Sequence, residues 1–416
     1  MLVPTDDAAV KLRLRSIEEP ICLFGEDKAR RRDRLRLVLA EKDVRGEHEQ
    51  RIQELMGTAE PGAGAGVAEA PKAKGKQETV YTAASPQLVA ARVGIAAWGT
   101  PRCVPRVAPS RVLFVQGLTA TATQVGDTRP LTCAIIDDTS VVTAGWAGGI
   151  KVWSRDSLKE EIHLPGHPER VTGLASLPAA SPEAASIVSA SADSTLRLWN
   201  KTSPEPLATL SGHVDRVCKV ATHPDGAKVA SASNDRTWRL WDVATQTELL
   251  MQDGHAKEVY AIAFHPDGSL VVTGDLGGVG RVWDLRCGKA IMTMKAHVKQ
   301  LLSVDVSPNG FHIATGSEDH TVQIWDLRHR RRVYTIPAHT GLISQVMFSP
   351  TTGEYLVTSC FDGTLKTWCT RDWSPISTIR AHESRVFGFA VATDERHIVS
   401  VCYDKTFKLW GPSAEF

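Results

Sequence analysis

The sequence lacks the features by which membrane-spanning, secreted and cysteine-ligated metal proteins are usually recognised. No apolar run approaches the roughly 18 residues of a membrane span, and the acidic residues of MLVPTDDAAVKLRLR leave no apolar core for a signal peptide. The 8 cysteines are scattered, without a CxxC or a His–Cys cluster. We therefore expect a reduced intracellular compartment, with no membrane association, no metal and no other cofactor.

An excess of charge of one sign is also missing. The 48 Lys and Arg residues nearly balance the 47 Asp and Glu residues, so the formal net charge is +1. This balance excludes neither nucleic acid nor protein as a partner, but it requires that any basic binding surface be local.

What the sequence does contain is a regular series of tryptophans. Seven of the 11 recur at intervals of 42 to 46 residues, at Trp153, Trp199, Trp241, Trp283, Trp325, Trp368 and Trp410. A period of this size is typical of repeat proteins, in which one unit cannot bury its apolar face alone and stacks on copies of itself.

Each repeat also follows one internal pattern. Short β-branched runs alternate with turn signals such as HPDG (223–226), HPDG (265–268) and SPNG (307–310), which indicates four short antiparallel strands per repeat. The pattern resembles the WD40 repeat, in which Gly-His is followed later by Trp-Asp. The resemblance covers residues 111–416 and implies an all-β seven-bladed propeller, preceded by a small N-terminal α-helical region.

The last blade ends shortly after Trp410 and is expected to lack its outer strand. We expect a strand from within 111–125 to supply it and so close the ring. The expected organisation is a helical region over 1–57, a flexible linker and irregular segment over 58–110, and the propeller over 111–416.

Polar residues recur at fixed offsets within the repeats, as in His213, Ser231, Asp235 and Trp241. A Ser-His-Asp catalytic triad is the alternative interpretation. Because the same set returns in blade after blade, we interpret it as a buried hydrogen-bond relay and expect no enzyme activity. In the fourth blade Gly277 occupies the position of the relay aspartate, so we expect that blade to be softer.

Two surface groups are candidate contacts. The residue before each turn aspartate should lie on the upper face, which brings Trp146, Phe361 and Tyr403 into one sector as a binding patch for a peptide or helix. The alternative is that these rings only pack against neighbouring chain. On the opposite face Arg328, Arg330, Arg331 and Arg332 suit an RNA backbone or an acidic segment, the alternative being a solvated loop.

The N-terminal segment reads as two charged helices separated by EPICLFGE (19–26), which contains Leu23 and Phe24; the second helix carries Arg30, Arg31 and Arg32. The run VPTDDAAVKLRLRSIEEPICLFGEDKARRRDRLRLVL closely resembles the splicing factor motif of pre-mRNA-processing factors 4 and 18. The segment VGDTRPL (125–131) resembles the one that precedes the first blade of factor 4. The chain is therefore similar to the pre-mRNA-processing factor 4 family.

This resemblance implies a nuclear, non-catalytic scaffold of the U4/U6 small nuclear ribonucleoprotein and the U4/U6.U5 tri-snRNP in pre-mRNA splicing. It implies a pre-mRNA-processing factor 3-like partner, a cyclophilin-type prolyl isomerase and U4/U6 RNA, with no small-molecule substrate. Leu23 and Phe24 would contact protein, and Arg30, Arg31 and Arg32 RNA or an acidic partner. The alternatives are a G-protein β-like signalling subunit, which Pro20 and the linker oppose, or a ubiquitin-ligase substrate receptor.

Overall fold

The computed structural model describes residues 86–99, 118–177 and 185–412, together with positions 10 and 35. The chain divides into two compact units, Met1–Ala83 and Ala84–Phe416. In the first unit the two described residues, Val10 and Leu35, are helical and buried.

The described part of the second unit contains one helix, α1 (Pro86–Gly99), and seven four-stranded antiparallel sheets. The strands are β1 (Leu118–Val125), β2 (Leu131–Ile136), β3 (Ser140–Gly145), β4 (Ile150–Ser154), β5 (Glu160–Leu164), β6 (Val171–Ser176), β7 (Ile187–Ser191), β8 (Thr195–Trp199), β9 (Ala208–Ser211), β10 (Val217–Thr222), β11 (Lys228–Ser233), β12 (Trp238–Asp242), β13 (Glu248–Gln252), β14 (Val259–Phe264), β15 (Leu270–Asp275), β16 (Val279–Asp284), β17 (Lys289–Lys295), β18 (Leu301–Val306), β19 (His312–Ser317), β20 (Thr321–Asp326), β21 (Arg331–Pro337), β22 (Ile343–Phe348), β23 (Tyr355–Cys360), β24 (Thr364–Cys369), β25 (Pro375–Arg380), β26 (Val386–Val391), β27 (Ile398–Cys402) and β28 (Thr406–Pro412).

The sheets are the blades of a seven-bladed propeller. Strands β2–β5 form blade one, and each following group of four strands forms the next blade up to blade six, β22–β25; blade seven combines β26, β27 and β28 with β1. The second strand of each blade is the most buried, as in KVASAS of β11, where every residue is buried. Because both faces of such a strand pack against neighbouring blades, small and β-branched side chains suit it.

The ring closes through β1. This strand runs antiparallel to β28, from Leu118 opposite Pro412 to Val125 opposite Thr406, with a bulge between Ala120 and Ala122. It therefore occupies the outer-strand position that the sequence assigned to a segment within 111–125. An ion pair between Arg155 of blade one and Asp394 of blade seven also joins the two ends of the ring.

Neighbouring blades are further linked by side chains of the inner strands. Thr132 donates a hydrogen bond to the carbonyl of Val171 at 2.6 Å, and Thr172 donates to the carbonyl of Val217 at the same distance. On the opposite face of the propeller, His223 Nε2 lies 2.9 Å from the carbonyl oxygen of Gly268, which has a φ of +71° in its turn. These contacts fix the angle between successive blades.

Helix α1 corrects the expectation that 58–110 is a flexible linker and irregular segment, because residues 86–99 of that stretch are helical. Its Leu88 and Ile95 are buried in a cluster that includes Leu249 and Leu285, and Arg92 Nε donates to the carbonyl of Leu285 at 3.1 Å. The helix has no acidic first turn or basic last turn, and apolar residues occur all round it. The end signals and periodicity on which sequence reasoning depends are therefore missing. Within the described part of the chain, no helix has both the length and the hydropathy that crossing a membrane requires.

The relay residues lie within hydrogen-bond distance of one another. In blade three, Trp241 Nε1 donates to Ser231 Oγ at 2.9 Å, Ser231 Oγ lies 2.7 Å from His213 Nε2, and His213 Nδ1 lies 2.7 Å from Asp235 Oδ2. Because the Asp235 carboxylate only accepts, His213 donates to it from Nδ1. Nε2 of the imidazole then accepts from the Ser231 hydroxyl, whose oxygen accepts from the indole. Ser231 is fully buried, so this set is structural rather than nucleophilic.

The expectation that blade four lacks its relay aspartate is wrong. Asp275, two residues before Gly277, places Oδ2 3.0 Å from His255 Nδ1 and accepts the N–H groups of Gly277 and Val279 at 2.9 Å each. In blade three the corresponding pair is Ser233 and Asp235. Blade four therefore moves its carboxylate two residues along the strand and still reaches the same histidine atom.

Candidate partner-binding site on the upper face

The upper face is the end of the ring that carries the turns between the second and third strands of each blade. The three aromatic residues expected there do come together, through a fourth ring, Phe387. The ring centroid of Phe387 lies 5.1 Å from that of Phe361, 6.3 Å from Trp146 and 6.1 Å from Tyr403. Trp146 and Tyr403 are in edge contact at 5.9 Å. We call these four residues the upper aromatic cluster.

Phe387 was not predicted, although a signal for it exists. It is the second residue of the innermost strand of its blade, and the residue at this position in every blade lines the mouth of the central channel. The seven are Thr132, Thr172, Cys218, Tyr260, Leu302, Ser344 and Phe387. Aligning the repeats on their inner strands, rather than on their turns, would have placed Phe387 beside the predicted aromatics.

These residues surround a cavity of about 260 Å³ that has two chemically different sides. Trp146, Phe361 and Phe387, from blades one, six and seven, form the apolar side, whereas Arg170, Arg216 and Lys219 come from blades two and three. With the Asn234 amide oriented so that its oxygen faces Arg216, that guanidinium donates to it at 2.8 and 3.0 Å. The cavity thus offers aromatic contact next to positive charge.

Burial controls the ionisation of three groups that line the cavity. It lowers the pKa of Lys219 and raises the pKa of Tyr260, while it raises the pKa of Cys218 to about 11. At neutral pH the thiol and the phenol therefore stay protonated and act as hydrogen-bond donors. A site of this kind suits recognition of a peptide segment with an apolar anchor and a carboxylate.

Of the arginines expected on the opposite, lower face, Arg328 and Arg330 lie in the loop between β20 and β21, and Arg331 and Arg332 begin β21. Arg328 is already engaged, because it pairs with Asp326 at 2.9 Å and stacks over Phe311 at 4.2 Å. Arg330, Arg331 and Arg332 are exposed. Tyr334, which is 44% exposed, follows them on the same outer strand, so the loop has an aromatic neighbour that the sequence did not suggest.

The remaining candidate residues, Leu23, Phe24, Arg30, Arg31 and Arg32, lie outside the described residues.

Comparison with known proteins identifies two regions. A family profile described as pre-mRNA processing factor 4 (PRP4) like matches residues 10–38. The profile of the WD domain, G-beta repeat, matches six segments that together cover more than half of the chain: 158–200, 204–242, 246–284, 288–326, 330–369 and 373–411. These segments do not include β2–β4 of blade one, which the structure shows to be a blade like the others.

Several curated proteins resemble the chain. An uncharacterized WD repeat-containing protein of Schizosaccharomyces pombe is 35% identical over 53% of this chain and 50% of its own length. The U4/U6 small nuclear ribonucleoprotein PRP4-like protein of Arabidopsis thaliana is 36% identical over 51% of this chain and 40% of its own. The U4/U6 small nuclear ribonucleoprotein Prp4 of Homo sapiens is 39% identical over 40% and 33%, respectively. The chain thus spans half or less of the length of these relatives.

Proposed function

The chain belongs to the WD40-repeat family, and from that premise we propose that it is a non-catalytic scaffold of the U4/U6 small nuclear ribonucleoprotein in pre-mRNA splicing. The observation that carries the proposal is the presence, in one chain, of a PRP4-like segment at 10–38 and a WD40 propeller. WD40 propellers occur with many functions, so the fold alone does not select this one. The similarity to U4/U6 small nuclear ribonucleoprotein Prp4 proteins supports the choice.

The propeller is the docking platform in this proposal, and its upper aromatic cluster is the contact point for a protein partner. A pre-mRNA-processing factor 3-like protein is the candidate, since the resemblance to pre-mRNA-processing factor 4 implies that partner. Its docking segment should insert an apolar side chain among Trp146, Phe361 and Phe387 and place a carboxylate toward Arg170 or Arg216. A cyclophilin-type prolyl isomerase is the candidate partner of the N-terminal region, and the nucleus is the expected location.

A tagged full-length chain tests the proposal by co-purification from nuclear extract. U4 and U6 RNA should be enriched together with a factor 3-like protein. The variant F387A should reduce recovery of that protein, because alanine removes the central ring of the cluster. Ile291→Ala is the control, since Ile291 is 37% exposed and lies on β17, the outer strand of blade four, away from the channel mouth. A Gγ-like or cullin partner without U4 and U6 RNA would overturn the proposal.

A second contact, with RNA, is favoured by the exposed arginines of the lower face. The triple variant R330E/R331E/R332E should weaken RNA retention. If all three arginines neutralise phosphates, the slope of log K against log salt concentration should become less steep by about 2–3. The control K159E/R380E/K405E makes the same charge change at other exposed sites. Equal retention by the two triple variants would exclude this loop.

A further inference from the structure

Blades six and seven differ from the other blades in one detail of their relay. In blades two, three and five the residue two positions before the turn aspartate is a serine, whereas Cys360 and Cys402 occupy that position in blades six and seven. Both cysteines are fully buried. Each thiol lies against the histidine and the aspartate of its own blade, forming the groups His339–Cys360–Asp362 and His382–Cys402–Asp404.

The histidine–aspartate distance changes together with this residue. From Nδ1 of the histidine to Oδ2 of the aspartate it is 2.9, 2.7, 3.0 and 2.8 Å in blades two to five. It is 3.7 Å between His339 and Asp362 and 3.4 Å between His382 and Asp404. The direct bond that completes the relay elsewhere is therefore loosened in both blades that carry cysteine. In each of these blades an imidazole nitrogen, a sulfur and a carboxylate oxygen lie within 4.8 Å of one another.

We propose that the upper ends of blades six and seven are a pair of three-ligand sites for a thiophilic divalent cation, of which Zn²⁺ is the best match. Thiolate, imidazole and carboxylate are its usual ligands, with bonds of about 2.0–2.3 Å. Those bonds place tetrahedral ligand atoms about 3.3–3.8 Å apart, so each group closes by about 1 Å or less. The thiolate and carboxylate balance the charge of the cation, and water completes its coordination.

The surroundings of the three ligands are arranged for this role. His339 Nε2 and His382 Nε2 each lie 2.8 Å from the relay hydroxyl of their blade, Thr358 and Ser400, which fixes the ring and turns Nδ1 toward the group. Such a partner on the second nitrogen is typical of metal-bound histidine.

The sulfur and carboxylate ligands are also supported. The backbone N–H of Asp362 donates to the Cys360 sulfur at 3.4 Å. In each turn a threonine, Thr364 or Thr406, holds Oδ1 of the aspartate through its N–H at 2.9 Å. Oδ2 of each aspartate faces the group, and in blade six it also accepts from Thr340 Oγ1 at 3.2 Å. Both aspartates reach the surface, which gives a cation an entry path.

Cobalt(II) titration of the purified full-length chain, stripped of metal with a chelator, tests the proposal. Two equivalents should bind and produce a thiolate-to-cobalt charge-transfer band. C360S and C402S should each lose one equivalent, and the double variant should lose the band. Serine is a mild replacement because it occupies this position in three other blades. The control C133S/C218S removes two other buried thiols and should keep both equivalents.

Two further measurements separate metal binding from a structural role of the thiols. Zn²⁺ should raise the melting temperature of the wild type but not of C360S/C402S. D362N/D404N should weaken cobalt binding by at least the roughly 10–100-fold that changes around a metal site produce. Absence of a thiolate band in the wild type, or a band that survives in C360S/C402S, would overturn the proposal.

Discussion

The relay of blade four offers the sharpest test of how this propeller is stabilised. Replacing Asp275 with serine gives blade four the residue that blade three has at the same position, Ser233. The serine hydroxyl should still accept the N–H of residue 277, as Ser233 Oγ accepts the N–H of Asp235 at 3.2 Å. It should not reach His255 Nδ1 or the N–H of Val279, because in blade three the aspartate makes the equivalent contacts.

The magnitude follows from the two donors that D275S leaves unpaired. His255 and Asp275 are both buried, at 5% and 2% exposure, so water does not readily replace the carboxylate. Each unpaired buried donor costs about 1–3 kcal/mol. We therefore expect D275S to lower the free energy of unfolding by about 2–6 kcal/mol.

The compensating change is G277D, which restores the aspartate at the position used in blade three. Residue 277 does not require a glycine conformation, since Gly277 is not among the residues with a positive φ. A Cβ there would meet the flexible Lys257 side chain at 3.1 Å and the Asp275 carboxylate at 3.2 Å. In D275S/G277D that carboxylate is gone, so most of the lost stability should return. G277D alone should be destabilised by the two adjacent carboxylates, and the four proteins form a double-mutant cycle with a favourable coupling energy.

Urea unfolding of the full-length chain, followed by tryptophan fluorescence and circular dichroism, measures the cycle. Burial alone would raise the pKa of Asp275, but hydrogen bonds from His255, Val279 and Gly277 outweigh it and lower that pKa. The aspartate therefore contributes its stability above the unfolded pKa of about 3.9, and the gap between wild type and D275S should narrow as the pH falls below that value. A double variant no more stable than D275S would refute the reasoning.

Three other perturbations test separate parts of the fold. Deleting 111–125, which contains β1, should lower the melting temperature of the whole propeller because β28 loses its partner strand; an unchanged melting temperature would show that the ring does not need this closure. D305N should stabilise the chain at pH 8 but not at pH 4. Burial raises the pKa of Asp305 to about 7, so the stability that the protonated carboxyl contributes is lost as the pH rises through that value. Equal urea midpoints of D305N and wild type at pH 8 would contradict this. L88A should cost about 2–5 kcal/mol in urea unfolding if α1 is an integral part of the core, whereas V93A, at an exposed position of the same helix, should cost little.

The parts of this molecule that sequence reasoning predicted are those set by periodicity. The spacing of the tryptophans gives the number of blades, and the turn signals give the face on which Trp146, Phe361 and Tyr403 lie. Both follow from local patterns that repeat at a fixed interval, so a position that is ambiguous in one repeat can be assigned by comparison with the other repeats.

The parts that were missed depend on positions for which local pattern gives no signal. Asp275 was overlooked because its role was assigned by a fixed offset, whereas a carboxylate two residues away can reach the same nitrogen. Helix α1 was overlooked because its stability comes from docking on blades three and four rather than from end signals. The His–Cys–Asp groups were overlooked because each histidine lies about 20 residues before its cysteine and aspartate and meets them only when the blade folds.

The two proposals for the upper face are physically connected, because their residues alternate along the chain. Phe361 lies between Cys360 and Asp362, and Tyr403 lies between Cys402 and Asp404. A cation that draws each cysteine and aspartate together would fix the backbone of the residue between them, and with it two rings of the upper aromatic cluster. Ordering these rings before a partner arrives removes part of the entropic cost of binding.

This connection makes a prediction that neither proposal makes alone. Zn²⁺ should tighten binding of a partner segment to the upper face of the wild type, and C360S/C402S should bind that segment with the metal-free affinity whether or not Zn²⁺ is present. By linkage, the partner segment should tighten Zn²⁺ binding by the same factor. Titration calorimetry of both proteins, with and without Zn²⁺, measures all four affinities. If Zn²⁺ binds the wild type but leaves the partner affinity unchanged, the two cation sites affect stability alone, and the upper aromatic cluster is already ordered without the cation.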